Sequence, residues 1–121
     1  MKTVLVVAAV AEAATGMALL IVPSLVGRVL LGTELTGIAL PVARVAGIAL
    51  IGLAVACWPG SPLVGMLTYN ALVAVYLAYL GVRGEWVGPL LWLVVAFHAV
   101  FTILLTRACL GVRSTPPAEL G

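Results

Sequence analysis

Four residues stand out as able to do chemistry where their neighbours cannot: Glu12, Arg44, Asn70 and His98. Each lies inside a long apolar run. A charged side chain at the centre of a membrane helix costs on the order of 3 kcal/mol. Glu12 and Arg44 would each carry that cost if they faced lipid. Facing each other, a carboxylate and a guanidinium neutralise charge and form two parallel hydrogen bonds. An amide and an imidazole can satisfy the donors and acceptors left over. At 1.5 Å per helical residue, Glu12, Asn70 and His98 lie roughly 12–15 Å from the ends of their runs on the side of the termini, and Arg44 about 20 Å. The sequence therefore predicts one buried polar layer near the bilayer midplane, with a Glu12–Arg44 ion pair at its centre. Tyr69 and Tyr76 share a helix face beside Asn70, so their phenols are expected to join it.

Two uses of such a layer stay open. It fixes helix register, as buried polar groups do in some proteins. Alternatively, it takes a proton, an ion or a polar ligand, since ionisable groups inside a membrane are functional candidates by default. Contact with another subunit is a third use. His98 is the only histidine, so one chain cannot supply two axial histidines to a haem. There is no Asp, no Cys–His spacing for zinc and no nucleophile motif. The connections between apolar runs are too short to build an active site outside the membrane. We therefore expect no enzyme, no metal site and no cofactor.

The elements that must hold these residues are apolar helices. Of the 121 residues, 64% are hydrophobic and 8% charged. Soluble domains carry roughly 25% charged residues. So few charges cannot cover a soluble surface, and six basic residues against four acidic ones form no patch for nucleic acid. A bilayer core about 30 Å thick needs about 20 apolar residues per helix. Runs of that length cover residues 3–23, 37–57, 62–80 and 88–106. Continuous rather than alternating apolar character favours helices over a barrel. Pro23-Ser24, Trp58-Pro59-Gly60-Ser61-Pro62 and Gly81-Val82-Arg83-Gly84-Glu85-Trp86 break the runs.

The predicted fold is all-α: an integral membrane, antiparallel four-helix bundle. A short interfacial helix, starting at Ser24 and stopped by Gly32, joins the first two spans, with Arg28 reaching for headgroups. The transmembrane domain takes up 1–107, and 108–121 reads as a flexible tail around Pro116-Pro117. Small residues prepare close helix approach: Ala8, Thr15 and Gly16 beside Glu12, and Ala39, Ala43 and Gly47 beside Arg44. Pro41 should kink its span. On the fourth span, Thr102 sits one turn from His98.

Lys2, a short apolar run and Ala11-Glu12-Ala13 resemble a secretory leader. The apolar stretch resumes at Gly16 and reaches Val22, so a full span is expected there. Lys2, Arg107 and Arg113 on the side of the termini outnumber Arg28 and Arg83 on the other, which places both termini in the cytoplasm. Trp58, Tyr79 and Trp86 fall near span ends, as interfacial aromatic residues do. Cys57 and Cys109 fall on the side of the termini, where a cytoplasmic location would keep them reduced.

The layout resembles the DoxX-like group of small four-helix bacterial membrane proteins. The resemblance rests on the first span ending at Pro23, the short Leu25–Gly32 segment and Ala43-Arg44-Val45-Ala46-Gly47-Ile48-Ala49-Leu50, and covers roughly residues 10 to 105. It implies the fold, and an accessory role such as some members have in quinone-dependent sulfur oxidation or membrane redox systems. The chain also resembles the small multidrug resistance transporters, through Ala11-Glu12 followed by Thr15-Gly16, which implies a proton- and cation-binding role for Glu12. It departs from them around Thr68-Tyr69-Asn70, where an aromatic-Ser-Gly region is missing. Arg44 beside Glu12 would also oppose proton uptake.

The expectation is an accessory or ligand-binding component of a redox or bioenergetic complex in the bacterial cytoplasmic membrane. The expected partners are the lipid bilayer, other membrane subunits or a second copy, and a quinone, lipid or pigment. The alternative is a proton-coupled transporter of small molecules or cations.

Overall fold

The computed structural model describes residues 2–58 and 61–114. There are four long helices, α1 (Lys2–Ile21), α3 (Ala39–Cys57), α4 (Pro62–Arg83) and α5 (Leu91–Ser114), with the short α2 (Pro23–Val26) between the first two. Thr3–Ile21, Ala39–Cys57, Pro62–Arg83 and Leu91–Gly111 are long and apolar enough to cross a membrane. The chain is a small multi-pass membrane protein with an all-α, antiparallel architecture.

Helix ends follow local chemistry. α4 starts on Ser61, whose hydroxyl accepts from the Val64 N–H at 3.3 Å, with Pro62 in the first turn. It ends at Gly84, which adopts φ +74° and returns its N–H to the Leu80 carbonyl. The sequence reading stopped this span at Leu80. Gly81 instead continues the helix, which stops only at the left-handed Gly84; the bare α-carbon of Gly81 lets the Trp92 indole of α5 lie against it, and a Cβ there would come within 2.5 Å of the ring. α5 runs past Arg107 to Ser114, seven residues into the segment read as tail, since nothing before Pro116 interrupts it. Residues 115–121 of that tail lie outside the described residues.

The connection between the first two spans is helical, as expected, but differs in detail. Ser24 lies within α2, whose N-cap is Val22. Its hydroxyl donates to the Leu35 carbonyl at 3.0 Å, tying the end of the connection to its start. After Val26 the chain widens into a π-helical turn over Gly27–Leu31 and stops at Gly32 with φ +77°. Arg28 is ion-paired with Glu34, both exposed.

Pro41 occupies the first turn of α3, which begins at Ala39 rather than Gly37. An N–H there has no intrahelical acceptor, so the proline removes no helical hydrogen bond and no kink is required of it.

Packing follows chain order: α1 against α3, α3 against α4, α4 against α5. Among the described residues no α-carbon of α1 lies within 8 Å of one in α5. The contacts are backbone-close where glycines face each other. Gly16 and Gly47 meet so tightly that a Cβ on either would sit 2.6 Å from the other's carbonyl oxygen. Gly65 is seated on Gly52 and Ala56 in the same way. On α1 the inward stripe is Ala9, Glu12 and Gly16. Ala8 and Thr15, expected on that stripe, are exposed. The core is thin: Ala9, Ala43, Ile48, Ala54 and Val73 are its buried apolar members.

Candidate functional site

The antiparallel registers decide where each polar residue stands. On α1 and α3, Leu20 faces Arg44, and Gly16 faces Gly47 and Ile51. Glu12 is eight residues before Leu20, so it lies about 12 Å along the helix axis from the level of Arg44. The predicted Glu12–Arg44 pair does not form: Arg28–Glu34 is the one ion pair among the described residues. Arg44 has a nearer acceptor. At the end of α1 the Ala18 carbonyl still accepts from the Val22 N–H, but the helix breaks before Pro23, and the carbonyls that follow Ala18 need partners from outside the helix. Arg44 Nε donates to the Leu20 carbonyl at 3.2 Å. It places a cation at the negative end of α1, whose last turn holds no basic residue of its own. Glu12 is half-buried on the α1 face that packs against α3.

Asn70 and His98 do meet. Asn70 is 3% exposed. Its Nδ2 donates to the Met66 carbonyl at 2.8 Å, and its Oδ1 lies 2.8 Å from His98 Nδ1. With the amide oriented by Met66, the imidazole donates from Nδ1 to the Asn70 Oδ1. The rings of Tyr69 and Phe97 stand edge-on to His98, with centroids 5.8 Å and 5.5 Å away. Thr102 donates to the His98 carbonyl at 2.7 Å, so its hydroxyl is satisfied within its own helix.

Tyr76 belongs elsewhere. On α3 and α4, Gly52 faces Gly65 and Tyr69, and the same register brings Arg44 to the height of Tyr76. Between them, at the end of the bundle away from the termini, lies a cavity of about 260 Å³ lined by Gly37, Leu40, Pro41, Arg44, Tyr76 and Tyr79, and by Leu80, Arg83, Glu85 and Trp86. Two of the six basic residues of the chain line it. The Tyr76 hydroxyl is buried and has no hydrogen-bond partner among the described residues. The Tyr76 and Tyr79 rings stack with centroids 6.4 Å apart. The Arg83 guanidinium sits 5.8 Å over the Tyr79 ring, and its Nη1 points to the Tyr79 hydroxyl at 3.4 Å. Glu85 shares the cavity wall without forming an ion pair with either arginine.

The polar residues are thus divided rather than gathered in one layer: Arg44 and Tyr76 stand towards one end, and Asn70, His98 and Glu12 nearer the middle of their helices, with Glu12 on α1, away from the other two. The sequence reading singled out Arg44 and Tyr76 but gave Tyr79 and Trp86 only an interfacial role, and left Arg83 and Glu85 in a loop. The signal available was the spacing of Tyr76, Tyr79 and Arg83, which shares one face of α4. The described residues hold no group of three or more His, Cys, Asp or Glu able to hold a metal ion. Cys57 and Cys109 are free thiols.

No protein-family model, no curated protein and no solved structure matches the chain.

Proposed function

We propose that this protein is an accessory, ligand-binding component of the bacterial cytoplasmic membrane, not an enzyme in itself, and that it serves a redox or bioenergetic assembly. One observation carries the reading: the cavity whose walls hold Arg44, Arg83 and Tyr76, with the Tyr76 hydroxyl buried and unpartnered among the described residues. Donors without acceptors in a low-dielectric setting are costly to maintain and reward a bound acceptor. The DoxX-like layout supports placement in such an assembly, and the small extramembrane portion supports a role through contact rather than through chemistry on soluble substrates. A quinone, a lipid or a pigment head fits the donor set. The test is extraction into polymer nanodiscs followed by native mass spectrometry. We expect a retained amphiphile or larger partner subunits, with the amphiphile lost in Arg44→Gln. A bare chain carrying neither would overturn the reading.

A second reading, a proton-coupled transporter using Glu12, gains from one observation: Glu12 has no basic partner among the described residues. The arginine that would hold it ionised and compete with a cationic cargo is engaged at Leu20. Proteoliposome flux driven by a pH gradient, and abolished in Glu12→Gln, would favour it; absence of any flux would exclude it.

A further inference from the structure

The ligand-binding reading can be taken to the chemistry of the ligand. We propose that the Arg44–Tyr76–Arg83 cavity binds the singly charged phosphodiester head of an anionic membrane lipid; this inference rests on the cavity being a ligand site.

Charge comes first. Arg44 lies five residues into α3, within a candidate membrane span, and no carboxylate of the described residues pairs with it. A lone cation at that depth is costly, and the cost falls when an anion joins it. Its Nε is committed to the Leu20 carbonyl, so the two Nη groups remain as donors. Arg83 has only the long contact to Tyr79 and likewise keeps donors free. Two arginines against Glu85 leave the cavity walls with one net positive charge, which a phosphodiester monoanion neutralises. A zwitterionic head would leave it in place.

Hydrogen bonding adds to this. The Tyr76 hydroxyl is buried with no partner among the described residues, a state that a native structure rarely tolerates without an absent ligand or water. Phosphate oxygens accept readily from guanidinium forks and from phenols.

Size and position point to a lipid rather than a whole soluble ligand. Pockets that enclose drug-sized molecules span about 300–1,000 Å³, and this one holds about 260 Å³. It suits a head whose chains continue outside. Its place at the end of α3 and α4, with Trp86 and Tyr79 on its walls, is the depth at which headgroups lie. Leu40, Pro41 and Leu80 give it an apolar side for the glycerol and upper acyl region.

The experiment is native mass spectrometry of the full chain, released from micelles doped separately with phosphatidylglycerol, phosphatidylcholine, inorganic phosphate or ubiquinone. Phosphatidylglycerol should be retained over phosphatidylcholine, and Arg83→Gln should lower that retention about tenfold, the scale of one charge-assisted hydrogen bond. Arg44→Gln should act in the same direction. Because it also removes the α1 contact, the exposed Arg83 is the decisive site if that variant fails to fold. Glu85→Gln should raise phosphatidylglycerol retention. Equal retention of the two lipids, or indifference to Arg83→Gln, would overturn the lipid assignment. So would inorganic phosphate that binds alone and displaces the lipid, since the anion would then come from solution. Arginine-dependent binding of ubiquinone without any of phosphatidylglycerol would also overturn it while leaving the ligand-binding reading intact. If no probe binds in an Arg44- or Arg83-dependent manner, both fall.

Discussion

Arg44 and the Leu20 carbonyl are joined across two helices by a 3.2 Å hydrogen bond, and this contact, not the carboxylate of Glu12, takes up the one strongly basic side chain within the first two spans. The bond caps α1 from its neighbour. Arg44→Gln should therefore destabilise the protein by about 1–2 kcal/mol, combining a charge-assisted bond with a helix-end interaction. Glu12→Gln should change stability little, and the double variant should equal the sum of the two within about 0.5 kcal/mol. Thermal unfolding in mild detergent measures all three. A larger coupling energy would show that Glu12 and Arg44 interact directly.

Gly16→Ala and Gly47→Ala should each destabilise the α1–α3 contact by about 1–3 kcal/mol, the usual range for overpacking. The obstruction in each case is backbone, the opposing carbonyl oxygen at 2.6 Å, and backbone cannot rotate aside. Gly88→Ala, which meets nothing within 4 Å, is the matched control and should be neutral. Denaturation midpoints in one detergent compare the series.

Asn70→Ala and His98→Ala should each cost about 0.5–2 kcal/mol, with a double-mutant cycle giving a coupling of similar size, as for polar contacts between other membrane helices. The bond ties α4 to α5, so the loss should appear as faster proteolysis of the α4–α5 connection.

Arg28–Glu34 is the contrasting case. Its side chains are 63% and 49% exposed, and such pairs contribute at most about 1 kcal/mol. Glu34→Ala should leave the unfolding temperature nearly unchanged.

Cys57 and Cys109 stand at the ends of α3 and α5 on the side of the termini. With the termini cytoplasmic, a membrane-impermeant maleimide should label neither thiol in intact spheroplasts, and should label Cys109 after permeabilisation. Labelling of Cys109 from outside would invert the orientation.

The four spans were legible because about 20 unbroken apolar residues have few alternatives to crossing a bilayer, and because Pro23, Pro62 and Gly32 mark helix ends with their own backbone restrictions. That Asn70 and His98 lie close together was legible for a related reason, since both are polar groups at similar depth on consecutive antiparallel helices; that they bond each other rather than a Glu12–Arg44 pair was not. The placement of Arg44 was not. Depth counted along each span ignores the register, which here is set by Gly16 meeting Gly47 without side chains between them. Nor does residue type reveal that the end of α1 offers a free carbonyl. The cavity was hidden for the same reason. It needs the α3–α4 register to bring Arg44 opposite Tyr76, and it needs α4 to continue through Gly81 to Arg83, stopping only where Gly84 turns left-handed.

The helices adjoin one another in sequence order, with α1 and α5 at the two ends and no close backbone approach between them. A closed ring would distribute a disturbance in both directions. This linear arrangement gives it a single route. What happens at α1 reaches α5 through α3 and then α4, and the Gly52–Gly65 junction is the link in the middle. Loosening that junction would divide the molecule into two hairpins, one keeping Arg44 with its α1 carbonyl and the other keeping Asn70 with His98. The cavity, whose walls come from both hairpins, would cease to exist.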